Sequence, residues 1–209
     1  MPRTFDDIKE HVEKVRGAVS SVQIDIMDGL FVSEKSWPFF DDKNLKERLP
    51  YADEIIYSAD LMIINTAEQV QGWALRGFRQ IIVHIGSTKD VGGIMDVARS
   101  NTMEVGIAFT ASTTEEMVSP WVEQADFIQC MGIERIGYQG EPFNEKVLPL
   151  IQNLREKYPS AVLQVDGGVN LITAPKLAEA GASRLVVGSA LWKSGNPKGV
   201  LEQLQGIHV

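Results

Sequence analysis

The sequence predicts a parallel α/β fold, a (β/α)8 barrel short of one strand. Three observations predict it. Apolar segments of strand length alternate with amphipathic segments of helix length along the whole chain, as in a parallel sheet covered by helices. Two of the strand segments carry the same Gln-x-Asp arrangement, Gln23/Asp25 and Gln164/Asp166, and both runs close on an acid followed by glycine. Residues two apart share one face of a strand, so each segment sets an amide and a carboxylate side by side at a desolvation cost. Finally, 209 residues with no linker or low-complexity segment make one domain with a sizeable core, and too little for two.

The elements follow in order. Thr4 with Asp7 forms a capping-box start, Phe5, Ile8, Val12 and Val15 recur at helical spacing, and Gly17 ends the run. A strand over 22–27 leads into a loop rich in aromatic and charged residues (31–42) and a short helix around 43–48. Strand 54–63 ends in Asp60-Leu61-Met62, and helix 66–76 follows. Strand 80–85 closes on His84, helix 90–100 comes next, then strand 104–109, with Thr113 to Glu116 capping the helix after it. Strand 127–133 enters a glycine-bearing loop (134–143), and Pro149 sits in the first turns of helix 144–158, where proline is tolerated. Strand 161–166, helix 171–180, strand 184–188 and a helix over 197–204 complete the series. That makes seven strands. The chain opens in a helix where a complete barrel opens in a strand, so either the first strand is absent or the barrel closes differently; with a strand missing, an exposed sheet edge would favour a homo-oligomer or a swap.

Composition narrows the function. A net charge of −8 argues against nucleic acid or an anionic membrane as partner. It leaves a phosphorylated small substrate open, since backbone N–H groups bind phosphate without a basic patch. The single Cys130 rules out an internal disulfide and suits a reducing, cytoplasmic setting. No apolar run is long enough to span a membrane, and no signal-peptide pattern opens the chain.

Asp25 and Asp166 are the first candidates for chemistry, because active-site residues of such barrels sit at C-terminal strand ends. The plainer alternative is that Asp-Gly pairs mark turns and caps; the repeated arrangement favours function. Gly167-Gly168 and Gly188-Ser189 follow the last two strands, a frequent phosphate position in barrels, although either pair alone is an ordinary turn. Gly137, Gln139 and Gly140 lie in the longest loop after a strand, which either folds over a ligand or is merely mobile surface. Met27, Met62 and Met131 sit near strand ends, as core filler or as ligand contacts. His84 ends a strand; a lone histidine is more often packed than a ligand, but this one can face the barrel mouth. Asp60 is a further strand-end candidate, while Trp37, Phe39 and Phe40 read as packing or an oligomer contact.

Together these stretches resemble the ribulose-phosphate 3-epimerase family of TIM barrels. "VQIDIMDGLFV" (22–32) is similar to its first acid motif and "DLM" (60–62) to its second strand-end motif. "GIAFTASTT" (106–114) is similar to its middle strand and loop, and "GYQGEPF" (137–143) to its mobile glycine loop. "VDGGVN" (165–170) and "VVGSALWKS" (186–194) are similar to its second acid and phosphate loops. The resemblance spans about residues 4–194 and implies one ribulose-phosphate-binding domain over 1–209. It implies proton removal beside a ketone and return on the opposite face, with Asp25 and Asp166 as the acid–base pair. The family stabilises the intermediate with a divalent metal held by those acids and two histidines. Gln23 and Asp60 occupy the histidine positions here. An all-oxygen set of Gln23, Asp25, Asp60 and Asp166 favours magnesium or manganese over zinc or iron. No organic cofactor is implied.

Three readings follow. The first is an epimerase or isomerase of a pentulose or hexulose phosphate. The second is a phosphosugar-binding barrel whose site is inactive or altered. The third, a decarboxylase or aldol-type enzyme on a similar barrel, calls for Asp-x-Lys at a strand end; here Met27 and Met62 stand two residues after Asp25 and Asp60.

Overall fold

Helix α1 (Phe5–Val15) begins at Thr4, whose hydroxyl accepts the Asp7 N–H at 3.1 Å while the Asp7 carboxylate accepts the Thr4 N–H at 2.9 Å. This reciprocal cap satisfies two backbone donors that the first turn leaves without helical partners. Phe5, Ile8, Val12 and Val15 are all buried, and Gly17 turns the chain out of the helix at a φ of 78° that a side chain would resist. In the computed structural model the described residues are 1–40, 47–64 and 67–207.

The chain divides into two compact units, Met1–Gly106 and Ile107–Val209. In the first, β1 (Ser21–Met27) pairs in parallel with β2 (Ile56–Met62), and β2 with β3 (Phe78–His84). Helices α2 (Ala67–Leu75) and α3 (Val91–Ser100) follow β2 and β3. From Tyr57 to Met62 β2 is wholly buried, as is β3 from Gln80 onward, as expected for parallel strands covered on both faces. The register sets Gln23 beside Ser58, Asp25 beside Asp60 and Met27 beside Met62. Trp37, with no exposed surface, packs on Phe5 at a ring-centroid distance of 5.7 Å, so it belongs to the core.

Strand β4 (Glu104–Thr110) spans the boundary. The second unit then runs α4 (Glu115–Val122), β5 (Phe127–Met131), α5 (Val147–Lys157), β6 (Leu163–Asp166), α6 (Thr173–Ala180), β7 (Arg184–Val186), α7 (Ser189–Trp192) and α8 (Pro197–Gln205). Strands β5 to β7 pair in parallel, with Gln129 beside Gln164 and Met131 beside Asp166.

The seven expected strands are all present, most a few residues shorter than the sequence suggested. The helix expected around 43–48 falls mainly on 41–46, outside the described residues. Thr114 is the N-cap residue of α4 but makes no side-chain capping bond, contrary to the expected Thr113–Glu116 cap. Helix α7 was not expected: four residues carry no legible helical period.

Candidate active site

Strand pairing brings together the candidate residues of the first unit. Because β1 and β2 are in register, the carboxylates of Asp25 and Asp60 emerge beside one another, one half-buried and the other fully buried. Gln23, one pleat below Asp25, donates its Nε2 to Asp25 Oδ1 at 3.4 Å and to Asp60 Oδ2 at 3.5 Å. The other oxygen of Asp60 lies 2.8 Å from His84 Nε2 at the end of β3. His84 is 2 % exposed, with the Phe31 ring 5.9 Å from its own. A buried carboxylate is stable only when its lone pairs are met, and Asp60 meets them with one imidazole and one amide.

Asp25 is less well served. Burial, followed by the negative charge of Asp60, pushes its carboxyl up to about 6, against a smaller opposing effect from the Gln23 hydrogen bond. A carboxyl that titrates near neutrality both accepts and releases a proton at working pH, which acid–base chemistry requires.

The backbone under Asp25 is fixed by Ser36, which sequence reasoning missed. Its buried hydroxyl donates to the Asp25 carbonyl at 2.6 Å and accepts the Met27 N–H at 2.9 Å. Asp28 ties the loops together: Oδ1 accepts from Leu30 N at 2.8 Å, and Oδ2 accepts from Ile64 N at 2.9 Å, just beyond β2. The Asp of this Asp-Gly pair is therefore a turn residue, as such pairs commonly are. Met27 and Met62 are buried at adjacent register positions.

The second unit carries the other acid. Asp166 ends β6 half-buried, beside Met131 in register. Below it Gln164 donates to Gln129 at 2.7 Å, and Gln129 turns its amide toward the Met131 sulfur at 3.5 Å. Gln129, also missed in the sequence, had its signal in the Gln-x-Met spacing of β5, which repeats the Gln-x-Asp pattern.

The glycines differ in kind. A side chain on Gly167 would strike Ile133 at 2.8 Å, and one on Gly168 would meet Phe143 at 2.9 Å, both at positive φ. Packing alone thus accounts for this pair. Gly188 has a negative φ of −111° and nothing within 4 Å of where a side chain would go, so its open space is not explained by packing. Ser189 begins α7 beside it. In the glycine loop Gly137 is buried, whereas Gln139 and Gly140 are exposed.

Within the first unit the oxygen donors suit a hard divalent cation, since Asp25 and Asp60 stand side by side and turning the Gln23 amide over would present Oε1 to the same space. Among the described residues no helix is long and apolar enough to cross a membrane.

The sequence matches the ribulose-phosphate 3 epimerase family over residues 1–192. It is 29 % identical over 184 residues to ribulose-phosphate 3-epimerase of Schizosaccharomyces pombe, covering 88 % of this chain and 80 % of the relative. The enzyme of that name from Bacillus subtilis is 27 % identical over 207 residues, covering 96 % and 91 %. A crystal structure of 3-hexulose-6-phosphate synthase superposes with a TM-score of 0.71 at 18 % identity, covering 99 % of this chain and 96 % of that one. That likeness shows the fold, a (β/α)8-type barrel, with seven strands among the described residues. The chain belongs to the ribulose-phosphate 3-epimerase family.

Proposed function

We propose that this chain is an isomerase that epimerises a pentulose or hexulose phosphate, such as ribulose 5-phosphate, at C3. The observation that carries the proposal is Asp25, a strand-end carboxyl raised to about 6 by burial and by Asp60. Family membership supports the substrate class.

In one direction Asp25 takes the C3 proton, the electron pair moves into an enediolate, and Asp166 returns a proton to the opposite face. In the reverse direction the two exchange roles. Asp60 does not transfer the proton; its charge keeps Asp25 basic, and its bond to His84 fixes that imidazole toward the substrate. Met27, Met62, Met131 and His84 line the sugar, with Gly137, Gln139 and Gly140 folding over it. Backbone N–H groups at Gly167, Gly168, Gly188 and Ser189 take the phosphate. A magnesium or manganese ion, held by Gln23, Asp25, Asp60 and Asp166, would add electrostatic stabilisation of the enediolate.

The test is kinetic and binding analysis of Asp25→Asn and Asp166→Asn. Each should lose on the order of 10²–10⁴ in kcat, the usual worth of general acid–base catalysis, with phosphosugar affinity changed only a few-fold. A fully active Asp166→Asn variant would refute the pair.

A second reading rests on Gln23 and Asp60 standing where the family places histidines. In it the barrel binds a phosphosugar without turning it over, and both variants bind as the parent does with no activity to lose.

A further inference from the structure

We propose that Lys193 is the positively charged positioning residue for the substrate phosphate. The inference rests on the phosphosugar reading above and names the side chain that completes it. Backbone N–H groups at a helix start hold anions best when a long helix aligns its peptide dipoles behind them. Helix α7 is only four residues long and offers little of that field. A phosphate dianion approaching a chain of net charge −8 is held more tightly with a cation nearby.

Lys193 is placed to supply it. It follows α7 directly, and its N–H bonds Ser189 O at 3.0 Å, one turn beyond Gly188. Its ammonium reaches the glycine loop, where a side chain added to Gly140 would lie 3.0 Å from Nζ. The same loop continues to Phe143, which packs against Gly168. Lys193 therefore stands beside two of the segments assigned to the phosphate and its cover, and the glycine loop runs on from it to the third.

Three other cations of this unit are engaged elsewhere. Arg155 donates to the carbonyls of Pro159, Ala161 and Gly181. Lys176 pairs with Glu145 at 2.8 Å, and Arg135 lies over the Tyr138 ring and 3.9 Å from Glu141. Among the described residues Lys193 pairs with no carboxylate. The lack of a side chain on Gly140 leaves the ammonium room to swing to a phosphate as the loop settles over it.

Lys193 is exposed, so replacing it should leave the fold intact. The test uses the full chain with inorganic phosphate and ribulose 5-phosphate as probes, comparing the parent with Lys193→Met and Lys193→Arg. Loss of one charge-assisted contact predicts about tenfold to hundredfold weaker phosphate binding for Lys193→Met. KM should rise by a similar factor while kcat changes far less, and the salt dependence of binding should shrink. Arginine should restore most of the affinity, which a merely structural role does not predict. Equal phosphate affinity in the parent and Lys193→Met overturns the Lys193 assignment and leaves the phosphosugar reading standing. A parent chain that binds neither probe overturns both.

Discussion

Asp25 concentrates the electrostatics of the first unit in one carboxyl. Below its ordinary value of 3.8 it is protonated in both folded and unfolded chains and contributes nothing to pH dependence. Between about 4 and 6 the folded chain keeps a proton that the unfolded chain has released, so stability falls as pH rises. Above about 6 the whole cost of the buried charge persists. Asp25→Asn should therefore raise the melting temperature at pH 8 and leave it nearly unchanged at pH 4, as differential scanning calorimetry would show. A stabilisation equal at both pH values contradicts the account. Asp25 and Asp166 stood out as candidates in the sequence because a charged residue on an apolar strand departs from its pattern. The bond between His84 and Asp60 was not, because it depends on how β2 and β3 align, and the register shifts between Tyr57 and Ser58. Ser36 was hidden for a different reason: its importance comes from a loop folding back on β1, and nothing about an isolated loop serine announces that.

Among the elements, the strand ends decide what can be substituted. A side chain on Gly132, just past β5, would lie 2.2 Å from the Gly167 carbonyl oxygen, a backbone atom that cannot step aside. Gly132→Ala should destabilise the protein by several times the ~1 kcal/mol typical of a point substitution, or prevent folding. Gly188→Ala meets open space at a negative φ, so its melting temperature should match the parent while phosphate affinity falls. Parallel denaturation and phosphate titrations of the two variants separate packing glycines from ligand glycines. At the other end of the chain, Thr4→Ala should cost about 0.5–2 kcal/mol through loss of the α1 cap. That cap was readable from Thr4 and Asp7 alone, because both partners lie within one turn. The cap at Thr113–Glu116 was not, since the same residue types leave α4 without its side-chain bond.

For the whole molecule, the strand–helix alternation was readable because hydrophobic period and turn residues repeat seven times, so errors of a few residues at each boundary do not disturb the count. The division into two compact units was not legible, as no composition shift marks Gly106. Ligand linkage is the property to measure at this scale. A phosphate site present only in the folded chain stabilises it by about 2.7 kcal/mol at a hundredfold excess over Kd. Phosphate or sulfate should therefore raise the melting temperature more than chloride of equal ionic strength. Equal effects of the three salts would remove the phosphate site from the account.

Asp25 and Asp166 are proposed to move a proton at C3. The most direct measurement is NMR of ribulose 5-phosphate incubated with the protein in heavy water, without added metal and with magnesium, manganese or zinc. Deuterium should enter at C3 with the parent chain, fastest with magnesium or manganese, and Asp25→Asn and Asp166→Asn should each suppress that exchange. Exchange that persists in either variant, or a parent chain that binds the sugar phosphate yet exchanges nothing under any condition, contradicts that role.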